Sequence, residues 1–470
     1  MSKVRNLPLV LLILLSGTAC GILEPATPDA HPEIATDWPS PPDDAHDGED
    51  APVTADSELP GWRDFFTDPD LESLIALSLE HNRDLRVAAL NVERARALYR
   101  VQRADRVPSL DATGTVTRLG GDNAITFNQA YSVNLGVSAY ELDLFGRVRN
   151  LSQAQLRDYL AREQAQRSLQ LSLVAEVANA WLTLLADREL ERIARAALAN
   201  RQAQLELTEK RFELGAVSSL EVSQAEIQLE TARADLWRYA GQVAQDVNAL
   251  TLLVGTTLDE DPRGKPFDLA VSGLDPLPAG VPSELLLRRP DVRQAEFTLR
   301  AANARIGAAR AAFFPSISLT GSIGTASAEL SELFSGGSRV WRFVPQINLP
   351  IFQGGRLRAN LDVTTADRDI ALAQYEKAIQ AGFRDVADAL ALTRTLAQQR
   401  ASREALLSAA RRADELSRAR YEAGSDSYLV LLDAERTLYA AQQSMVTTLL
   451  AQQANRITLY KALGGGWEQP

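Results

Sequence analysis

The sequence predicts a membrane protein of mixed α and β structure, in which β-barrel strands are continued by long α-helical hairpins. Three observations carry that fold class. The folded body is an internal duplication. Short segments alternate apolar and small polar residues with period two. Two very long segments are almost free of Gly and Pro.

The amino terminus comes first in chain order. Lys3 and Arg5 precede a short apolar run from Leu7 to Leu15. That run is too short to span a membrane as a helix and fits a secretory signal. Ser16, Gly17, Thr18 and Ala19 then lead to Cys20, the single cysteine of the chain. The order resembles a lipoprotein signal over 1–19, with Cys20 lipidated at the start of the mature chain. Gly17 stands where such signals usually carry Leu, so plain cleavage after Ala19 is the alternative. Gly21, rather than Asp, follows the cysteine, which favours the outer membrane. Residues 20–60 then read as a lipid-anchored tether. Positions 24–60 hold eleven acidic residues and eight prolines, with no Lys or Arg. Such a composition cannot bury a core and reads as a solvated, extended spacer.

The charge and the rare residues exclude several classes. The formal net charge is −12, and the tether supplies eleven of those charges, so the folded body is close to neutral. No basic patch argues for nucleic acid. One cysteine excludes an internal disulfide and a thiolate metal cluster. The histidines are His31, His46 and His81, and the first two lie in the acidic stretch. A catalytic triad or a histidine metal site needs such groups held in a packed pocket. The sequence therefore predicts neither an enzyme nor a cofactor.

The duplication is the strongest signal. Residues 84–109 read DLRVAALNVERARALYRVQRADRVPS, and residues 291–316 read DVRQAEFTLRAANARIGAARAAFFPS, an offset of 207. FGRVR at 145–149 matches GGRLR at 354–358 with an offset of 209. The same offset pairs RFELG at 211–215 with RYEAG at 420–424, and Val254-Gly255 with Leu463-Gly464. Chance rarely produces so long an alignment without a gap. The repeats are placed at 61–282 and 283–467.

Each repeat opens with a helix, 71–106 or 284–313, that ends near a Pro-Ser pair. A β-hairpin follows, giving four strands per chain. Residues 131–139 alternate, with Tyr131, Val133, Leu135, Val137 and Ala139 on one face and Ser132, Asn134, Gly136 and Ser138 on the other. Residues 316–324 and 341–351 do likewise, the latter with Trp341, Phe343, Ile347, Leu349 and Ile351 on one side. Period two with one apolar and one small polar face suits a transmembrane barrel strand or the half-hydrated sheet of a soluble sandwich.

The helices decide between them. Arg147 to Leu214 is a run of 68 residues without Gly or Pro, roughly 100 Å if helical throughout. The matching run, Arg356 to Ala423, is interrupted only by Gly382. Val174, Val177, Trp181 and Leu184 recur at heptad-like spacing, as do Ile379, Phe383, Val386 and Leu390. Each long helix reaches a glycine, Gly215 or Gly424, and returns through 219–254 or 428–463. Four strands cannot close a barrel around a lumen, and open edges are not tolerated in lipid. Several chains must share one barrel under cyclic symmetry, and three would make it twelve-stranded.

These segments resemble the TolC-like outer-membrane factor family, and within it the lipoprotein branch of OprM and NodT type. The resemblance rests on YELDLFGRVR at 140–149, NLPIFQGGRLR at 348–358, RYEAGSDSYLVLLDAERTLYAAQQ at 420–443 and LYKALGGGW at 459–467. It covers about residues 60–467. It implies a homotrimer with a barrel in the outer membrane, held also by lipid at Cys20, and an α-helical tunnel in the periplasm. It further implies export of drugs or other small toxic compounds with an inner-membrane RND-type transporter and a periplasmic adaptor (membrane fusion protein). A type I protein secretion channel shares this architecture and is the alternative. A passive porin leaves the long helices without a role, and a structural coiled coil leaves the strands without one.

The resemblance also assigns site residues. The hairpin tips, at Gly215 and Ala216 and at Gly424 and Ser425, are expected to meet the adaptor. Leu429 and Asp433 match the positions where these channels close at the periplasmic end. They are four apart and share a helix face. Val430 stands where some related channels carry a second Asp, so a double acidic ring is not expected.

Overall fold

The computed structural model describes residues 23–30, 61–119, 128–258, 267 and 283–465. The signal over 1–19, Cys20 and the tether from 31 to 60 lie outside them.

A short helical turn, Trp62–Phe65, precedes α1, Pro69–His81, and α2, Arg83–Ala104. Asp68 caps α1, accepting from Asp70 N at 3.1 Å, with Pro69 in the first turn. The single helix expected over 71–106 is thus two. Asn82 breaks it: its backbone is extended, its Oδ1 accepts from Leu85 N at 2.9 Å, and its Nδ2 donates to Leu253 O at 2.8 Å. The second repeat breaks at the equivalent place. A 3₁₀ turn over Ser283–Arg288 gives way to α5, Pro290–Ala311, with Pro290 starting the helix. Between them lie α3, Arg147–Glu213, and α4, Ser219–Val254; after them come α6, Arg356–Glu422, and α7, Tyr428–Ala462.

Four strands form one antiparallel sheet in the order β1-β2-β3-β4: Asp111–Leu119, Asn128–Leu142, Ser316–Ser327 and Arg339–Asn348. Gly114 pairs with Val133 and Gly321 with Phe343, so both hairpins share one register. One face carries Val116, Tyr131, Val133, Leu135, Ile323, Trp341, Phe343 and Ile347; the other carries Thr113, Thr115, Ser132, Asn134, Ser318, Thr320 and Ser322. Trp341, Phe343 and Ile347 are exposed in the isolated chain, as residues meant for lipid should be.

One expectation about this face is corrected. Ala139 is not its fifth residue. The register between β2 and β3 slips after Val137, and Ala139 has φ 51° with its N–H on Thr320 Oγ1 at 3.1 Å. This β-bulge moves Tyr140 and Leu142 onto the apolar face, opposite Leu319 and Ile317. It also explains the changing offset of the duplication. From Gly114/Val133 and Gly321/Phe343, β2 maps to β4 at 210; the extra bulge residue reduces this to 209.

The chain divides into two compact units. The first contains the sheet, most of α2, the start of α3, α5 and the start of α6. Within it Leu299 and Ala302 of α5 pack on Ala371, Leu372 and Tyr375 of α6. Arg305 of α5 makes an ion pair with Asp158 of α3. The start of the expected spacer also docks here: Asn303 Nδ2 donates to Pro25 O at 2.6 Å, and Arg310 Nη1 to Leu23 O at 3.4 Å. Residues 23–25 are therefore held on α5, where free solvation was expected of the spacer.

The second unit has the larger core. Val174, Val177, Trp181 and Leu184 of α3 pack with Phe65, Phe66, Leu250 and Tyr460. Phe65 stacks on Tyr460 at 4.1 Å, and Trp181 Nε1 donates to Asp68 Oδ2 at 2.9 Å. One stretch of α3 is apolar enough to cross a membrane by composition, but more than half of it is buried within the chain. It is a core helix. Phe383, Val386 and Leu390 of α6 pack with Leu286, Leu459 and Leu463.

Asp187 of α3 and Asp246 of α4 lie in hydrogen-bond contact. Burial, then the neighbouring Asp187 charge, pushes Asp246 up to about 6; burial also raises Asp187, which the hydrogen bond with Asp246 and then Arg238 oppose. Raised folded values mean that the folded state holds the proton more tightly. Stability contributed by this pair is therefore full below pH ~4 and lost as pH rises through ~6. Asp246→Asn is expected to reduce that slope to the part that burial of Asp187 contributes, which denaturation measured between these pH values checks.

Candidate gate and hairpin tips

Both helical hairpins turn in the same way. Gly215 and Gly424 have φ 69° and 70°, a left-handed conformation that favours glycine. Gly215 N donates to Phe212 O at 2.9 Å and Ala216 N to Arg211 O at 2.8 Å; Gly424 N and Ser425 N repeat this on Tyr421 O and Arg420 O at 3.0 and 2.8 Å. These bonds satisfy the last carbonyls of α3 and α6. Ser218 then caps α4 by accepting from Glu221 N at 3.4 Å. The second tip is braced differently: Arg420 holds both oxygens of Asp426, at 2.6 and 2.9 Å. That guanidinium keeps the Asp426 carboxyl below its usual range. The positions expected at the tips, Gly215, Ala216, Gly424 and Ser425, are all exposed.

The first turns of α7 show where each predicted gate residue points. Tyr428, Leu431 and Leu432 are buried with Ala225 of α4, Leu205 of α3 and Tyr421 of α6. That spacing defines the packed face. Leu429, 61% exposed, and Asp433, also exposed, lie together on the other side. Leu429 is therefore not seam packing within the chain. Its repeat counterpart Leu220 is exposed as well.

Behind this face lies a group that the sequence reading missed. Glu435, only 8% exposed, contacts Arg201 of α3 and accepts from Arg418 Nη2 of α6 at 2.9 Å. Arg418 also reaches Asp414 at 3.6 Å. Burial pulls the Arg201 guanidinium below its usual value, and the Tyr428 and Asp414 charges oppose that shift. Nearby, Arg211 Nη1 donates to Tyr421 Oη at 2.8 Å with its guanidinium 5.2 Å from the ring centre. These contacts tie α3, α6 and α7 together just behind the tips.

Known proteins place this architecture. The family model described as "Outer membrane efflux protein" matches residues 74–256 and 281–465. The starts differ by 207 and the ends by 209, as the duplication requires. The chain is 45% identical over 472 residues to the toluene efflux pump outer membrane protein TtgI of Pseudomonas putida, covering 99% of each. It is 44% identical over 421 residues to the outer membrane protein OprJ of Pseudomonas aeruginosa, covering 87% of this chain and 86% of that one. Among solved structures it resembles the open state of the Neisseria gonorrhoeae MtrE outer membrane channel, with TM-score 0.85 and 39% identity over 94% of this chain and 98% of that one. It also resembles CusC, a transmembrane channel, with TM-score 0.82 and 40% identity over 88% and 98%. With this fold and these relatives over nearly its whole length, the chain belongs to the outer membrane efflux protein family, a family of outer-membrane channel proteins.

Proposed function

We propose that three copies of this chain form the outer-membrane exit duct of a tripartite pump that expels small toxic compounds. A toluene efflux protein that matches nearly the whole chain at 45% identity carries this reading, and relatives named for solvent and antibiotic efflux support it. An inner-membrane RND-type transporter would drive export, and a periplasmic adaptor would join it to the duct. The small polar face of the sheet suits an unselective aqueous lumen. Cys20 is the proposed lipid attachment, supported by its place beside the signal; mass spectrometry of the mature amino terminus checks it.

The tips are the proposed adaptor contacts. Their support is exposure combined with a rigid, duplicated turn at Gly215 and Gly424. Cysteines replacing Ala216 or Ser425 are expected to crosslink to the adaptor in cells. Crosslinking only from the strand loop, at Gly336, would contradict the assignment. Leu429 and Asp433 are the proposed gate: in a trimer they would give an apolar plug and a ring of carboxylates one turn apart.

A further inference from the structure

The duplication keeps one basic pair but loses its counter-ions. At the start of α3, Arg147 binds both oxygens of Glu141, and Asp143 accepts from Val148 N at 3.1 Å and Arg149 N at 2.7 Å. The 209 offset maps Arg147 and Arg149 to Arg356 and Arg358 of α6, but Glu141 and Asp143 to Pro350 and Phe352. The second repeat thus retains both guanidinium groups and replaces both carboxylates with apolar residues. Arg356 has the neutral Gln353 as its partner, and among the described residues neither arginine meets a carboxylate. Both are exposed.

The same junction bares apolar side chains. Leu349, Ile351 and Phe352 are 53%, 92% and 87% exposed. They extend the lipid-facing series of Trp341, Phe343 and Ile347 past Asn348, the last residue of β4. Since β4 leads directly into the periplasmic helix α6, this patch sits where the barrel leaves the bilayer on the periplasmic side. The amino terminus gives the same level independently. Asn348 pairs with Ser316, the first residue of β3. Just before Ser316, at the end of α5, Arg310 holds Leu23 O. Cys20 is separated from Leu23 by at most about 10 Å of chain, so a lipid on it enters the bilayer at this end of the sheet. Helical side chains lean towards the helix amino terminus, so Arg356 and Arg358 reach back towards the strand and the headgroups.

We propose that this junction of β4 and α6 docks an anionic phospholipid of the periplasmic leaflet, with its acyl chains on Ile351 and Phe352 and its phosphate on Arg356 and Arg358. A guanidinium matches a phosphate in shape and charge, and an exposed apolar patch beside it marks a membrane contact. Free phosphate, or the acidic stretch between 43 and 58, would neutralise the arginines but leave the apolar residues in water. The first repeat carries its own carboxylates at this place and takes no such lipid.

The test is native mass spectrometry of the full-length protein, purified in detergent and titrated with phosphatidylglycerol or phosphatidylethanolamine. Wild type should retain phosphatidylglycerol about tenfold more tightly. Arg356→Gln with Arg358→Gln should abolish that preference. Pro350→Glu with Phe352→Asp copies the first repeat's carboxylates and should abolish it with both arginines in place, which keeps the test decisive if the arginine variant fails to fold. Arg403→Gln with Arg411→Gln, the same change of charge further along α6, should leave the preference intact. Equal retention of the two lipids by wild type would overturn the proposal. So would a preference that survives the first two variants, or one that the control pair also loses. Displacement of phosphatidylglycerol by equimolar inorganic phosphate would mean a free-anion site and overturn it too. A preference that appears only once the acidic residues between 43 and 58 are replaced by Asn and Gln would assign the arginines to that stretch instead.

Discussion

Replacing Glu435 by alanine is expected to destabilise the helical hairpins by about 3–5 kcal/mol, the usual result of stripping a buried charge of its partner. Glu435 is 8% exposed and faces two guanidinium groups. Without it, buried Arg201 loses the carboxylate it contacts and keeps only the Tyr428 and Asp414 charges to oppose its burial. The bridge to Arg418 contributes less, because that side chain is 42% exposed and water screens it. Glu435→Gln keeps the shape and some hydrogen bonding, so it should fall between the two. The ion pair of Arg420 with Asp426 makes the control. It is short and bidentate but sits at the tip with the Arg420 side chain 62% exposed, so Asp426→Ala should leave the melting temperature nearly unchanged. Thermal unfolding of the detergent-solubilised protein distinguishes these outcomes, and equal melting temperatures for wild type and Glu435→Ala would mean that the network is dispensable.

The double substitution Leu429→Ala with Asp433→Ala is expected to raise single-channel conductance several-fold and to weaken cation preference. Both side chains are exposed on the face of α7 opposite its packed residues, so their removal should cost the fold little. Three carboxylates crowded in a narrow pore attract cations and resist anions. Removing the Leu ring widens the constriction and removing the Asp ring neutralises it. Asp433→Asn alone should therefore change selectivity more than conductance, and Leu429→Ala alone the reverse. Recordings from purified trimers in planar bilayers show each effect. Unchanged current and selectivity in the double variant would place the constriction elsewhere.

The architecture was legible because its signals are periodic. Two runs almost without Gly or Pro became 67-residue helices, and period-two segments became strands with one apolar face. What was not legible depends on contacts distant in sequence. Asn82 is an ordinary helix residue until Leu253 O, 171 positions away, takes its amide; only Pro290 in the other repeat hinted at a break there. The Ala139 bulge was already encoded in the offsets, yet one extra residue in a strand cannot be told from a longer loop without the pairing partner. The spacer's first residues dock through backbone carbonyls, which leave no trace in residue type. For the proposed gate, sequence placed Leu429 and Asp433 on one face, but that this face is bare followed only from the burial of Tyr428, Leu431 and Leu432. The charges that tie α3 to α6 and α7 behind the tips, Arg201, Glu435 and Arg418, were invisible because Arg201 and Glu435 lie 234 residues apart.

The central claim, an exit duct for small toxic compounds, is tested most directly by solvent and drug accumulation in living cells. Cells lacking this chain but keeping their transporter and adaptor should accumulate toluene and a fluorescent drug well above wild-type levels. Restoring the wild-type chain should return accumulation to baseline, while a chain with the 216–218 and 425–427 tip residues deleted should reach the outer membrane without doing so. Equal accumulation with and without the chain, in cells where the transporter is active, would contradict the account.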